Sequence, residues 1–354
     1  MIMDHKKEID ELVTLVIQEG ASDLHLSVGR PPVIRVAGNL IPLVKKPVIT
    51  DSDMKGYLNF FLTQPNKELL EADKTVDFSY NLTNARFRGN VYYHQAVPSI
   101  ALRLIPKNIR TLSELNLPPI LELFTRKSQG FFLCVGPIGQ GKTTTLATLI
   151  EMINQTRAEH ILTIEDPIEY IFESKKSIID QREIRVDAPD FPNALTSMFR
   201  QDIDVCMVGE MREISTISTA VTAAETGHLV FSTLHTNNAA QTIDRIIDSF
   251  PAEQQDQIRV QLAGSLSGIF SQRLVPRISG GLVPAYELLI NNTAVSNLIR
   301  EKRIHEINTV IETSSQEGMI DMNRSLAELV RAGEITAENA YANSTNPKNL
   351  GRMI

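Results

Sequence analysis

Residues 131–154 read FFLCVGPIGQGKTTTLATLIEMIN and hold the clearest structural pattern in the chain. Phe131 to Val135 form a short, mostly apolar run without polar alternation, which is typical of a strand buried on both faces. Leu146, Leu149 and Ile150 then recur at helical spacing beyond a glycine-rich loop. Strand, loop and helix in this order predict an α/β domain whose loop lies at the N-terminal end of a helix.

The loop itself, Gly136 to Thr143, fits the phosphate-loop pattern GxxxxGK[ST]. Its glycines allow backbone N–H groups to converge on phosphate oxygens at the positive end of the helix. Lys142 would reach the β- and γ-phosphates of ATP, and the Thr143 hydroxyl would bind Mg²⁺. A chance glycine-rich turn is the alternative, and the flanking strand and helix argue against it. The predicted nucleotide contacts in this segment are Gly136, Gly139, Gly141, Lys142, Thr143 and Thr144.

The composition is that of an ordinary globular chain of 354 residues, long enough for two domains. Its 35 Lys and Arg residues against 42 Asp and Glu residues give a net charge of −7, so no nucleic-acid partner is expected. Cys134 and Cys206 lie in apolar runs, which predicts buried thiols in a reducing cytosol. Neither a membrane-length apolar run nor a signal-peptide core is present, so we expect a cytoplasmic protein.

The first 105 residues mix helical and strand patterns without regular βαβ alternation. Ile9 to Ile17 show a helical apolar face, whereas Ser22 to Leu26 alternate like a strand. This mixture predicts an α+β domain over residues 1–105, then a linker over 106–119 and an α/β domain over 120–354. From Pro251 onward the patterns read mostly as helices, with a glycine turn at Gly280-Gly281 and a short apolar stretch, Val283 to Ile290, as a strand candidate. The tail from Asn343 is expected to be frayed.

Three apolar runs follow the phosphate-loop helix, and each ends in polar residues. They are Ile161–Ile164, Val205–Val208 and Leu229–Phe231. In a parallel sheet, the polar residues after such strands meet at the edge where ligands bind. Glu210 would then stand as a Walker-B acid that orders a water molecule or Mg²⁺, with a surface glutamate as the alternative.

Other candidate site residues have stronger competing interpretations. Glu165 and Asp166 end another strand and would activate water, but they would equally serve as helix N-cap acids before Pro167. His235 would sense the γ-phosphate, although a lone histidine in a strand is more often structural. Three arginines lie on predicted strands of the first domain: Arg86, Arg88 and Arg103. Arginines on strands are usually just solvent-exposed side chains on the outer face of a sheet.

Six short segments, in order along the chain, carry a family resemblance: SDLH at 22–25, GPIGQGKT at 136–143, HILTIEDPIEY at 160–170, VGEMR at 208–212, TAAETGHL at 222–229 and STLHT at 232–236. They resemble the secretion-ATPase superfamily, and most closely the type IV pilus retraction ATPases of the twitching-motility (PilT/PilU) group. The resemblance implies an N-terminal PAS-like α+β domain and a RecA-like P-loop ATPase domain with a helical C-terminal part.

The same resemblance implies an assembly and a location. It implies a homo-hexameric ring in which nucleotide lies between the two domains. It further implies docking at the cytoplasmic face of the inner membrane through a pilus platform protein, and a paralogous retraction ATPase as a further partner.

The resemblance also implies roles for single residues. Glu165 would act on the attacking water from within an Asp box, Thr163 to Glu169. Glu210 would end the Walker-B box, and His235 would lie in the His box. Arg86, Arg88 and Arg103 would approach the phosphates, and Arg245 would help to hold the site together.

Several residues depart from the pattern of the retraction group. Ile138 and Gln140 stand where that group usually has small hydroxyl residues; their side chains are expected to be peripheral to phosphate binding. Ala96 stands where many relatives carry an arginine, and Gln201 and Ile203 replace an acid and a proline. Lost charge near the phosphates would slow hydrolysis, since electrostatic stabilisation is often the largest catalytic contribution.

Three functions are compatible with these observations. The first is a Mg-ATP-hydrolysing motor that powers pilus retraction. The second is an extension or secretion ATPase of the same superfamily, but those relatives usually carry a four-cysteine metal motif that Cys134 and Cys206 cannot supply. The third is an accessory or regulatory nucleotide-binding subunit with weak hydrolysis.

Overall fold

A computed structural model describes residues 5–36, 38–82, 85–105 and 108–354. The chain divides into two compact units, Met1–Asn108 and Ile109–Ile354. Residues 106 and 107, where the predicted linker begins, lie outside the described residues. Of the rest of that linker, Asn108 belongs to the first unit, whereas residues 109–119 belong to the second unit and bury Leu112 and Leu117 in its core. Because these leucines remove apolar surface from water, the segment is part of a packed domain and not a free connection.

The first unit is an antiparallel sheet of six strands with helices on one face. In chain order its elements are α1 (His5–Gln18), β1 (Asp23–Ser27), β2 (Val33–Val36), β3 (Asn39–Pro42), α2 (Asp51–Phe61), α3 (Gln64–Asp73), β4 (Thr75–Leu82), β5 (Ala85–His94) and β6 (Val97–Ile105). The strand order is β3-β2-β1-β6-β5-β4. This α+β organisation confirms the fold class predicted for the region.

The two faces of this sheet differ in character. Leu24, Phe87 and Leu102 lie on the face that packs against the helices, and they are buried together with Val13 of α1. Successive residues of a strand point to opposite faces, so Asp23 and its neighbours in register project from the other side. The predicted arginines of β5 and β6 belong to that polar face.

The second unit is a mixed sheet of seven strands with helices on both faces. Its helices and strands are α4 (Glu122–Thr125), β7 (Gly130–Val135), α5 (Lys142–Thr156), β8 (His160–Glu165), β9 (Ile178–Glu183), α6 (Phe191–Met198), β10 (Val205–Val208), α7 (Ile214–Glu225), β11 (Leu229–Leu234), α8 (Ala239–Asp248), α9 (Ala252–Ser265), β12 (Leu266–Pro276), β13 (Leu282–Ile290), α10 (Thr293–Arg300), α11 (Ile307–Thr313), α12 (Met322–Arg331), α13 (Ala337–Asn343) and α14 (Pro347–Leu350). Short 3₁₀ helices occupy Pro119–Leu121, Ile304–Glu306 and Ser315–Glu317.

The strand order of this sheet is β13-β12-β7-β11-β10-β8-β9, and all neighbours are parallel except β12 and β13. Every residue of β7 is buried. Phe131 and Leu133 pack into one core with α7 and α8, whereas Phe132 and Cys134 pack into another with α5. The apolar run that predicted a strand buried on both faces is therefore the centre of an α/β sandwich.

Both cysteines are buried free thiols, as predicted. Burial raises the pKa of the Cys134 and Cys206 thiols to about 12, so both stay protonated at neutral pH. Among the described residues, no helix combines the length and apolarity that crossing a membrane requires.

The prediction of mostly helical structure after Pro251 is wrong for β12. Ser271, Gln272 and Arg273 interrupt its apolar pattern, so the segment does not read as a buried strand. It is nevertheless buried as far as Gln272, because β7 and β13 pair with its two edges. The tail is also more ordered than expected, since α14 follows Asn343 and buries Leu350 in a C-terminal core.

Candidate active site

The phosphate-loop segment has the predicted geometry, in which β7 leads through the loop into α5. Gly136, Gly139 and Gly141 all have positive φ angles, 144°, 78° and 78°. Only glycine adopts such angles without strain. At Gly136 a side chain would also overlap the carbonyl oxygen of Gln272. The loop conformation therefore depends directly on its glycines.

The N-terminus of α5 is suited to an anion. The helix has neither a side-chain cap nor an acidic residue in its first turn, so its first N–H groups are available to a ligand. Lys142, the first residue of α5, is buried, and its Nζ donates to the carbonyl oxygens of Gly136 at 2.7 Å and Pro137 at 2.8 Å. Burial lowers the pKa of Lys142.

A pocket of about 350 Å³ opens beside this helix end. Its walls come from the phosphate loop and from the carboxyl ends of β8, β10 and β11, which is where a parallel sheet binds ligands. The lining residues are Ile138, Gly139, Gln140, Gly141, Lys142, Thr143, Thr144, Glu165, Asp166, Pro167, Glu169, Gly209, Glu210, Thr233 and His235. The pocket thus brings together five of the six predicted phosphate-loop residues, all except Gly136, and all three predicted catalytic residues.

Glu165 is the most buried carboxyl group of the pocket and lies at the end of β8. Its Oε1 accepts hydrogen bonds from the Thr163 hydroxyl at 2.8 Å and the Gln181 amide at 3.2 Å, and its Oε2 accepts from the Glu169 N–H at 3.2 Å. Burial raises the pKa of Glu165 to about 7, despite these bonds. A carboxyl group with such a pKa can accept a proton near neutral pH. The alternative of a simple helix N-cap does not fit, because no helix begins at Pro167.

Glu210 follows β10 and faces the pocket with a partly exposed carboxylate. Arg212 Nε lies 2.8 Å from Glu210 Oε1, and His235 Nε2 lies 3.8 Å from Glu210 Oε2. The carboxylate is therefore oriented by neighbours on two sides.

His235 connects the lysine to this carboxylate. Its Nδ1 lies 3.3 Å from Lys142 Nζ, which can only donate. Nδ1 must therefore act as the acceptor, and the ring proton lies on Nε2, towards Glu210. Burial lowers the pKa of His235, and the positive charge of Lys142 lowers it further, so the ring is neutral at pH 7.

The oxygen atoms of the pocket fit a magnesium ion only in combination with a phosphate ligand. Among the described residues, no group of three or more His, Cys, Asp or Glu side chains could hold a metal ion. Thr143, Glu169 and Glu210 nevertheless share the pocket. Mg²⁺ is commonly held by one or two protein oxygens together with substrate phosphates and water.

The predicted arginines of the first unit share the polar face of its sheet. Arg88 and Arg103 are direct neighbours in register on β5 and β6. Arg103 Nε lies 2.8 Å from Asp23 Oδ1, and Arg86 donates to the Ser79 hydroxyl at 3.1 Å. All three belong to the first unit, whereas Lys142 belongs to the second. Their contact with nucleotide stays a prediction.

Arg245 lies outside the pocket. It occupies the last turn of α8, where its side chain is exposed and does not line the pocket. Its role in holding the site together therefore stays a prediction.

Sequence reasoning missed several groups that support the site. The Tyr170 hydroxyl lies 2.8 Å from the Thr144 hydroxyl. Arg212 belongs to the VGEMR segment, so its position was at least indicated by that motif. Gln272 of β12, by contrast, lies in a segment without a recognisable pattern. It could only be found from the fold.

The chain matches the family model described as type II/IV secretion system protein over residues 4–284. It is 40% identical over 344 residues to the type IV pilus retraction ATPase PilT of Pseudomonas aeruginosa, covering 97% of this chain and 100% of that protein. It is 37% identical over 349 residues to the type IV pilus ATPase PilU of the same organism, covering 98% of this chain and 91% of that protein.

The structure is similar to a crystal structure of the pilus retraction motor PilT with bound ADP. The TM-score is 0.90 at 45% identity, and the match covers 97% of this chain and 98% of that one. The similarity therefore extends over both units and includes the candidate active site.

Proposed function

Because this chain belongs to the type II/IV secretion system protein family, we propose that it is an ATPase that powers type IV pilus retraction. One observation carries the proposal: the phosphate loop and the polar residues after β8, β10 and β11 line a single pocket. This arrangement suits a nucleoside triphosphate, whose phosphates would lie at the N-terminus of α5.

Binding would rest mainly on the loop and on Lys142. Backbone N–H groups of the loop and of the first turn of α5 would donate to the β- and γ-phosphate oxygens. Lys142 would exchange its two carbonyl partners for phosphate oxygens, which accept stronger, charge-assisted hydrogen bonds. Thr143, with Glu210 nearby, would hold Mg²⁺. When bound, that ion would neutralise negative charge on the β- and γ-phosphate oxygens.

Hydrolysis would rest on the two glutamates. Glu165 has a pKa of about 7 and would accept a proton from the attacking water. Arg212 holds the Glu210 carboxylate, which would orient that water. His235 presents its Nε2–H towards the same space, and a neutral ring can donate to the γ-phosphate without repelling Lys142.

The working molecule would be a homo-hexamer in the cytoplasm, docked at the inner membrane through a pilus platform protein. In such a ring, the first-unit arginines Arg86, Arg88 and Arg103 would approach the phosphates of the nucleotide. The relatives named for pilus retraction and pilus ATPase activity support the ATPase and pilus-retraction part of this proposal.

An accessory role beside a second, more active ATPase is the runner-up. The chain is about as similar to PilU as to PilT, and its Ala96 and Gln201 remove charges expected in the retraction group. A subunit of this kind would bind nucleotide but hydrolyse it slowly.

Steady-state ATPase activity of the purified protein tests the proposal. We expect Mg-dependent turnover that the Lys142→Ala substitution removes. Tight nucleotide binding without turnover would instead favour the accessory role. Failure to bind ATP or ADP would contradict both.

A further inference from the structure

Strand β12 extends beyond the strand with which it pairs on the phosphate-loop side. Its pairing with β7 ends at Ser271 and Val135, whereas its pairing with β13 continues to Pro276 and Leu282. The edge of β12 after Ser271 therefore faces the loop that follows β7. Backbone groups on such an edge need other hydrogen-bond partners.

Gln140 of the phosphate loop supplies one of these partners. Its side-chain Oε1 accepts a hydrogen bond from the backbone N–H of Leu274 at 2.6 Å. Its side-chain Nε2 lies 3.4 Å from the carbonyl oxygen of Ile138, within the same loop. The Gln140 side chain therefore points to β12, and it joins two parts of the loop to that strand.

Gln272 of β12 makes the reciprocal contacts. Its Nε2 donates to the backbone carbonyl oxygen of Gln140 at 2.8 Å, and its Oε1 accepts from the Thr145 hydroxyl at 2.7 Å. The side chain is buried, with a relative exposure of 3%. One amide thus ties the loop and the first turn of α5 to the same strand.

We propose that Gln140 and Gln272 form an amide brace that holds the phosphate loop in its nucleotide-binding conformation. Both are positioning residues, since they act through the loop backbone and through Lys142, and the brace rests on the function proposed above. The loop contains three glycines with positive φ, so its unbraced backbone has many accessible conformations. A braced loop presents its N–H groups and Lys142 already arranged, which favours nucleotide binding.

This role differs from the peripheral one expected for Gln140 from the sequence. A serine or threonine at residue 140 would be too short to reach Leu274. The contact with the Leu274 N–H therefore requires a longer side chain that carries an acceptor oxygen.

The test uses the full-length protein with Gln140→Ser, Gln140→Asn and Gln272→Ala. Asn keeps the amide but shortens the side chain by one methylene group. Gln257→Ala is the control, because Gln257 is an exposed glutamine on α9. Each protein is measured for the Kd of Mg-ADP, for KM and kcat with ATP, for Tm, and for amide hydrogen exchange of the loop without nucleotide.

We expect both Gln140 variants to weaken ADP binding about 3- to 10-fold, as the loss of one hydrogen bond predicts. Gln272→Ala should weaken it about 10-fold or more, because two bonds are lost. KM should rise while kcat changes little, since saturating nucleotide restores the loop. Loop amides should exchange faster in these variants and at the wild-type rate in Gln257→Ala. A Gln140→Ser, Gln272→Ala double variant should raise the Kd of Mg-ADP by less than the product of the two single-variant factors, because both residues restrain the same segment.

Wild-type Kd and wild-type loop exchange in folded Gln140→Ser and Gln140→Asn would overturn the brace. A lower Tm without a change in Kd would show that these contacts stabilise the fold but do not favour nucleotide binding. That result would also overturn the proposal. If the wild-type protein itself fails to bind nucleotide, the proposed function fails, and loop exchange still decides whether the brace exists. If Gln272→Ala does not fold, the two loop variants decide the outcome.

Discussion

At the scale of single residues, Lys142 has a central place in the pocket. Lys142 is the only Lys or Arg among the described residues that line the pocket. Two loop carbonyls and the ring of His235 already hold its ammonium group. Few other groups there could neutralise the terminal phosphates.

We predict that Lys142→Ala lowers kcat by at least about 100-fold, since loss of one preorganised electrostatic group typically has this effect. Lys176→Ala is the matched control, because Lys176 is an exposed lysine of the same unit. Phosphate release by both variants measures the difference. Wild-type turnover in Lys142→Ala would contradict the phosphate-loop assignment.

The two glutamates should act mainly on the transition state. We predict that Glu165→Gln and Glu210→Gln each lower kcat strongly while the Kd of ATP changes little, because a group that orients or deprotonates water contributes little to ground-state binding. Single-turnover kinetics together with equilibrium binding separate the two quantities. If only one variant loses activity, that glutamate carries the chemistry.

The pKa of Glu165 adds a pH dependence to this prediction. Since burial raises it to about 7, the wild-type kcat should increase as the pH rises through about 7 and the carboxylate forms. The residual activity of Glu165→Gln should lack this increase. Measuring kcat against pH for both proteins provides the check.

At the scale of secondary-structure elements, the segment that carries His235 is anchored from two strands. Ser271 of β12 donates to the carbonyl oxygen of Asn237 at 2.9 Å. Glu287 of β13 accepts from the N–H of Ala239, the first residue of α8, at 2.8 Å. The start of α8, and the residues just before it, are therefore positioned by the C-terminal part of the sheet.

We predict that Glu287→Ala destabilises the protein by about 1–3 kcal/mol, because it leaves the buried N–H of Ala239 without an acceptor. Glu287→Gln keeps an acceptor and should be closer to the wild type. Chemical denaturation of both variants measures the free energy of unfolding. Equal stability of the two variants would show that this hydrogen bond contributes nothing.

Glu287 also contributes to the pH dependence of stability. Burial raises its pKa from 4.5 to about 7, so the folded state favours the protonated form. Its contribution is complete below about pH 4.5 and is lost as the pH rises to about 7. The decline in the free energy of unfolding across this range should be smaller in Glu287→Gln. Glu165 acts in the same direction, so part of the decline should remain.

At the scale of the whole molecule, we expect the active form of the protein to be a ring of subunits. The pocket lies in the second unit, whereas the predicted Arg86, Arg88 and Arg103 lie in the first. We predict that specific activity falls as the protein is diluted into monomers, because each subunit then lacks the charges of its neighbour. Light scattering in parallel with phosphate release checks this. Full activity in a monomeric sample would contradict it.

Mixed rings test where the arginines act. An Arg86→Ala, Arg88→Ala double mutant and Lys142→Ala should each be inactive alone. After subunit exchange, some interfaces pair an intact loop with intact arginines, and activity should return if the arginines act across the interface. A labelled-subunit measurement must demonstrate exchange. Normal activity of the arginine double mutant by itself would show that these residues have no catalytic role and are ordinary residues on the solvated face of a sheet.

The parts of this protein that depend on local pattern could be predicted from its amino-acid sequence. Buried strand, glycine loop and amphipathic helix are contiguous, so the phosphate loop and its lysine could be recognised without the fold. Glu165, Glu210 and His235 could be predicted from the sequence for a related reason. Each follows an apolar strand, and parallel strands bring their carboxyl ends to one edge of the sheet. The α+β character of the first unit also followed from its mixed periodicities.

Contacts between segments that are distant in the chain could be found only from the fold. Strand β12 carries Ser271, Gln272 and Arg273, and its burial results from β7 and β13 on either side and not from its own pattern. Gln140 reaches Leu274, which is 134 positions away in the chain, so its role was invisible locally. Leu350 is likewise buried by helices that precede it. Periodicity reports which face of an element is apolar, but not which polar side chains are satisfied by partners that the fold brings to them.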